Sequence, residues 1–174
     1  MALNDLEINS ELEPHADTCC IGKGALVLTD YESPVNFQGY DLDSGTKTYC
    51  TIIRSFLYAH PYTGRTYHIV IHQNVEIPDL KHHILFPMQV HTNRVAVNEY
   101  PRFLTEHPTE ETHAIIADDE WGNKVVLPLC LSGVTSYLPV STLTENEWNQ
   151  LETPRVTLTN KHLTWDQNST DYEA

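Results

Sequence analysis

The sequence predicts a mostly β fold assembled from hairpins in chain order. Three observations point there. Ten prolines are scattered from Pro14 to Pro154, none more than 27 residues from the next. Each interrupts a helix and pushes the residue before it toward extended geometry. Between them lie short runs rich in Val, Ile, Thr, Tyr and Leu, residue types that suit a pleated, half-buried surface. Turn formers separate those runs: Asp43-Ser44-Gly45, Pro61-Tyr62-Thr63-Gly64 and Trp121-Gly122-Asn123.

In chain order, the β-favouring runs predict strands at 25–29, 35–39, 48–58, 66–75, 95–98, 113–117, 124–131, 135–140 and 156–159. The one helix signal covers 144–151, where Thr144 and Glu147 have capping-box spacing ahead of Trp148 and Leu151. Residues 1–8 read as a linker or disordered lead. The main domain is expected over 9–105 and a β extension carrying the short helix over 106–163. The polar stretch 164–174 is expected to be a flexible tail that frays.

A length of 174 residues suits one domain with a tail. Ten Lys+Arg against 24 Asp+Glu leave a net charge of −14, which argues against a binder of nucleic-acid phosphates. The acid is unevenly placed: residues 33–105 carry six basic and five acidic side chains, so a near-neutral middle is flanked by acidic ends. No apolar run approaches the ~20 residues of a membrane span, and the acidic N-terminus lacks the apolar core of a signal peptide. Cys19, Cys20, Cys50 and Cys130 form no C-x-x-C pair, so a reduced, cytoplasmic setting is expected.

Two stretches carry the chemistry. The first is His15-Ala16-Asp17-Thr18-Cys19-Cys20-Ile21-Gly22. An Asp followed by Thr, a small residue and an apolar residue is similar to the active-site loop of a retropepsin. Such a loop points its carboxylate at a partner carboxylate, and the Thr hydroxyl hydrogen-bonds across to hold it. The second stretch is Ile77-Pro78-Asp79-Leu80, then Ile84-Leu85-Phe86-Pro87-Met88-Gln89. It resembles the x-V-P-x-L and N-L-L-S-V-x-Q-L-like segments of copia-type retrotransposon proteases, in which an apolar strand turns into a short helix. With both stretches in order and hairpins between them, residues 9–105 resemble the protease domain of a copia-type gag–pol element.

The resemblance implies a retropepsin-like closed β-barrel and hairpin fold, with Ile84 and Leu85 buried beneath the loop bearing Asp17. It implies peptide hydrolysis by water with no covalent intermediate, cofactor or metal. Two close carboxylates share one proton, so one can take a proton from water while the other donates to the developing oxyanion. One chain offers one such Asp, so a homodimer is implied, with Asp17 and Thr18 catalytic in each copy and a polyprotein or peptide as substrate. The implied setting is cytoplasmic or inside a virus-like particle. The family's usual third loop residue is Gly, and here it is Cys19. Gly tolerates a left-handed backbone that Cys does not. Cys19 is therefore expected to sit close to Asp17, narrow access to it and impair activity.

The literal D-S-G-T at Asp43 to Thr46 is rejected as the catalytic loop, because Gly39-Tyr40-Asp41-Leu42 ahead of it is not an apolar strand. By its order in the family pattern, this hairpin turn is the flap, with Gly39, Tyr40, Asp41, Leu42, Asp43, Ser44 and Gly45, together with Cys19, as substrate-contact candidates. Asp41 and Asp43 lack the bidentate Glu that a calcium loop needs. The ten histidines, including His68, His72, His82 and His83, show no zinc-finger spacing; His15 could tune Asp17 from two residues away. The competing function is a catalytically inactive peptide-binding or dimerisation module, which would hold an extended peptide by strand addition without cutting it.

Overall fold

A run that buries both of its faces must lie inside a covered sheet. Strand β5 (Thr66–Glu76) is such a run, with every residue from Tyr67 to His72 buried. In the computed structural model it pairs antiparallel with β4 (Thr46–Ala59). On its other side it takes two parallel partners: β12 (Arg155–Thr157) opposite His68, Ile69 and Val70, and β2 (Cys20–Ile21) opposite Val75 and Glu76. The structure describes residues 8–14, 16, 18–22, 25–38, 46–77, 80, 82–161, 165–166 and 168–170, with the backbone alone in 8–9, 29–38 and 46–52.

The large sheet continues from β2 to β6 (His83–Leu85), then β1 (Ile8–Leu12), β11 (Thr135–Val140) and β10 (Cys130–Ser132), with β3 (Leu26–Gln38) at the far edge beyond β4. A small sheet holds β7 (Ala96–Asn98), β8 (Ala114–Asp118) and β9 (Lys124–Pro128). It docks on the large one where Asp119 bridges Val156. Two short helices, α1 (Pro87–His91) and α2 (Glu145–Trp148), complete the described elements together with a 3-10 turn at Arg102–Leu104. The hydrophobic core contains Ile21, Phe56, Tyr58, Ile69, Ile71, Leu85, Ile115, Leu127, Leu138 and Leu158, each stabilising the fold by about 1.5–3 kcal/mol through burial. Among the described residues no helix is long and apolar enough to cross a membrane.

The mainly β class is as expected, but among the described residues the closed barrel is not found. The large sheet curls until Leu57 in β4 and Ser141 after β11 exchange two backbone hydrogen bonds, at 3.0 and 2.8 Å. That contact is a single bridge. The reason is β3, which occupies the outer edge of β4 from Thr46 to Ser55 and leaves only the end of β4 exposed to Ser141. Strand β3 itself runs unbroken through the predicted gap at 30–34. Pro34 cannot donate to a ladder, and an edge strand with a register shift between Asp30 and Pro34 tolerates it.

Other boundaries move for similar reasons. The predicted strand 124–131 splits at Leu129, where the chain leaves the small sheet for the large one. The capping box at Thr144 and Glu147 forms as predicted, but α2 ends at Trp148 and leaves Leu151 exposed. Both sheets draw on residues before and after 105: β7 pairs with β8, and β11 and β12 join the large sheet.

The centre of the large sheet holds a neutral histidine. His83 in β6 is 1% exposed, stacks on Phe56 at 4.6 Å, and accepts the Gly22 N–H at Nδ1 over 3.0 Å. Gly22 is required there, since a Cβ would lie 2.5 Å from the Leu80 carbonyl oxygen. With Nδ1 accepting, the proton resides on Nε2. Burial, with Arg54 and His82 nearby, lowers the His83 pKa to about 4. Between that value and the ordinary 6.5, the unfolded chain binds a proton that the folded chain does not, so stability falls as pH drops through this window. We expect His83→Gln to flatten the loss measured by urea unfolding between pH 7 and pH 4 by about 2–3 kcal/mol. An equal slope in both proteins would show that His83 is not the group responsible.

Candidate active site

The candidate loop is built by the β1–β6 pair. These strands run parallel, with Ser10, Glu11 and Leu12 opposite His83, Ile84 and Leu85. The pairing extends to Glu13, whose N–H donates to Leu85 O at 3.1 Å. The chain then turns, with Ala16 N donating to Glu13 O, and re-enters the sheet as β2, where Cys20 pairs with Ile84. Leu85 is buried beneath this crossing and Ile84 is half-buried. The two stretches that carry the family resemblance therefore lie side by side.

Their junction is the side chain of Gln89. Pro87 at the first turn of α1 supplies a preset helical φ, and two residues later Gln89 points inward, 1% exposed. Its Oε1 accepts the Thr18 hydroxyl at 3.2 Å and the Cys19 N–H at 2.8 Å. Its Nε2 donates to the Gln73 carbonyl at 2.9 Å. Thr18 is buried and its hydroxyl is engaged within its own chain. Gln73 lies in the left-handed region, at φ 53°, a conformation that costs a non-glycine residue about 1–2 kcal/mol. The motif pattern contained Gln89, but nothing in the sequence signalled its bond to the loop or the turn of backbone at Gln73.

Cys19 does not behave as expected. Its side chain is fully buried in the core, and its Sγ accepts the Phe86 N–H at 3.3 Å. It does not reach the surface, where a substrate would meet it. Among the described residues only Gln73, Arg94 and His113 are left-handed without being glycine, so this position makes no demand for glycine. Burial pushes the thiol pKa up to about 12 against the opposing Phe86 N–H, so it stays a protonated, unreactive thiol.

The remaining candidates, Asp17 and the flap residues Gly39, Tyr40, Asp41, Leu42, Asp43, Ser44 and Gly45, lie outside the described residues, as does His15. The stem leading to the candidate flap turn is described: β3 and β4 pair up to Gln38 opposite Thr46. Among the described residues no three His, Cys, Asp or Glu side chains converge as metal ligands. His68 lies 5.4 Å from the Trp148 ring, and His82 lies 3.0 Å from Glu11. An open cavity of about 540 Å³ lies at the small sheet, lined by Val97, Tyr100, Thr109 and His113 among others; no candidate residue lines it.

Two substitutions test this geometry. Cys19→Gly empties a core position and removes the acceptor of Phe86 N–H, so it should lower stability by about 2 kcal/mol in urea unfolding. A variant as stable as the parent would mean that the side chain is not packed. Gln89→Leu keeps the bulk but strands a hydroxyl, an N–H and a carbonyl in the interior, and should cost about 3 kcal/mol or more by the same measurement.

Comparisons with protein-family models, with curated proteins and with solved structures found no match for this chain.

Proposed function

We propose that this chain is an aspartic endopeptidase of the copia-type retroelement class, acting as a homodimer in which each copy contributes Asp17. The observation that carries this reading is the contact between the two motif stretches: Gln89, from the segment Ile84 to Gln89, holds Thr18 and Cys19, the two residues that follow Asp17. A catalytic carboxylate must be held to a fraction of an ångström. A loop pinned through a buried carboxamide supplies that rigidity. The long β3–β4 hairpin, whose turn carries the flap candidates, follows the loop in the chain as a substrate-covering element would.

In this reading the two Asp17 carboxylates share one proton. The ionised one takes a proton from water as the water oxygen attacks the scissile carbonyl carbon. The protonated one donates to the carbonyl oxygen as it gains charge. As the tetrahedral species collapses and the C–N bond breaks, the carboxyl that took the water proton gives it to the leaving nitrogen, and the other takes back the hydroxyl proton, which restores the shared proton. The pKa values belong to the pair. The substrate is an extended stretch of polyprotein. The non-catalytic reading leaned on Cys19 as an obstruction, and a Cys19 turned into the core gives it no support.

The test is cleavage of denatured polyprotein or apolar peptides at pH 4 to 6. Activity should rise with protein concentration as dimer forms, and the rate should follow a bell in pH. Asp17→Asn should fold and dimerise yet lose cleavage by several orders of magnitude, while Asp43→Asn should cost at most a modest factor. A dead Asp43→Asn beside an unaffected Asp17→Asn would move the site to the wrong hairpin. Peptide binding without cleavage in both the parent and Asp17→Asn would favour the binding module.

A further inference from the structure

After β12 the chain continues alongside β5, in the same direction, instead of leaving the fold. Leu158 N donates to Val70 O at 3.0 Å. Thr159 Oγ1 accepts from His72 N at 2.7 Å and donates to His72 O at 2.8 Å. At the next residue of β5, Gln73 Nε2 donates to Asn160 O at 2.9 Å, and Gln73 Oε1 accepts the Trp165 N–H. The Trp165 ring meets Phe86 edge-on, with centroids 5.8 Å apart. The stretch expected to fray is thus docked at Trp165. Its contacts fall on the two residues that flank the loop's brace: Gln73, whose carbonyl holds Gln89, and Phe86, whose N–H is held by Cys19.

We infer that the C-terminal segment, at 155–160 and Trp165, is a positioning element of the candidate active site, acting on the Asp17-Thr18 loop through Gln73 and Gln89. A residue at φ 53° relaxes toward extended backbone unless its surroundings hold it. Here the holding groups are the two side-chain bonds to the C-terminal segment and the carbonyl bond to Gln89. If Gln73 relaxes, its carbonyl swings away from Gln89 Nε2. The carboxamide is then free to rotate, and Oε1 no longer stays fixed on Thr18 and Cys19. Neither glutamine touches substrate in this scheme; both act through the loop. The consequence for catalysis rests on the proposed activity, while the mechanical coupling does not.

The test is residue-resolved hydrogen exchange on the full chain, followed at the Cys19 amide, with the amides of β8 and β11 as internal controls. In Gln73→Ala the Cys19 amide should exchange at least tenfold faster, and in Trp165→Ala at least threefold faster, with the controls within twofold of the parent. Trp165→Ala keeps its backbone N–H and every β-ladder bond but removes the ring, seated on Phe86, that anchors this N–H at Gln73 Oε1, so it decides the matter if Gln73→Ala does not fold. An unchanged Cys19 amide in Trp165→Ala overturns the coupling, and so does an equal acceleration in β8 and β11, which would be general loosening. Peptidase assays on the same proteins separate this inference from the activity it builds on. With both correct, the variants lose kcat while KM holds within about twofold. Faster Cys19 exchange in a parent that cleaves nothing keeps the coupling and sinks the protease. Cleavage with unmoved exchange does the reverse.

Discussion

One buried carboxamide joins three parts of the chain that are far apart in sequence. Gln89 takes hydrogen bonds from Thr18 and Cys19, 71 and 70 residues away, and gives one to Gln73, 16 residues away. A carboxamide suits this position because it accepts and donates at once, which neither a carboxylate nor an ammonium group can do while charged. It also brings no charge into the core, so it avoids the desolvation cost of a buried ion. Three polar groups at the crossing of the candidate loop, α1 and β5 would otherwise be orphaned, and each would cost about 1–3 kcal/mol. The loop's shape is therefore tied to where α1 begins, which depends on β6 and Pro87.

The same economy explains why residues after 105 pack into the surroundings of the candidate loop. Strand β5 is flanked on one side by β4 along most of its length. On the other, β2 covers only its last two residues and β12 three near its start. The backbone between these short partners, at His72 and Gln73, would face an unfilled notch. The Thr159 hydroxyl fills it by mimicking a strand partner, both accepting from and donating to His72. A side chain that satisfies an N–H and a C=O of one residue completes the hydrogen-bond accounting which a two-residue and a three-residue strand leave open.

How much was legible in the sequence varied with how local the cause was. Strand β11 and the Thr144–Glu147 box were readable to the residue, because alternation and capping are decided within a few positions. Strand β1 was missed, since Ile8–Leu12 contains Asn, Ser and Glu and becomes a strand only because β6 and β11 lie on either side of it. Whether the sheet closes depends on which strand reaches the edge of β4 first, a question of global pairing. At the candidate site, the resemblance implied that Ile84 and Leu85 are both buried beneath the loop; Leu85 is buried, while Ile84, opposite Cys20, is half-buried. The orientation of Cys19 was misread because a glycine at that place in the family was taken to require a left-handed backbone, and this loop meets no such requirement at Cys19. Gln73 was invisible for the opposite reason: its left-handed φ is accompanied by partners from two distant segments, Gln89 in α1 and Asn160 and Trp165 in the C-terminal segment, and no local residue preference announces it.

Acidity acts on this molecule in two opposed ways. The chain carries a net charge of −14 at neutral pH, so protonating surface carboxylates relieves self-repulsion as pH falls. In the same direction of pH, His83, His68 and His113, all with pKa values lowered chiefly by burial, resist the proton that the unfolded chain accepts. The first effect is long-ranged and screened by salt, while the second is buried and is not. Raising ionic strength therefore removes the relief and leaves the histidine penalty in place, so acid sensitivity of the fold should sharpen in salt. An aspartate dyad needs one proton shared between two carboxylates, which favours mildly acidic conditions. In the proposed reading, cleavage would fall in the same pH window in which the buried His83, its pKa lowered to about 4, costs the fold stability. The acid limb of a cleavage profile would then mix titration of the dyad with loss of the folded state. The two separate by their salt dependence, because a dyad shielded from solvent titrates almost independently of ionic strength while the balance between repulsion and buried histidine does not.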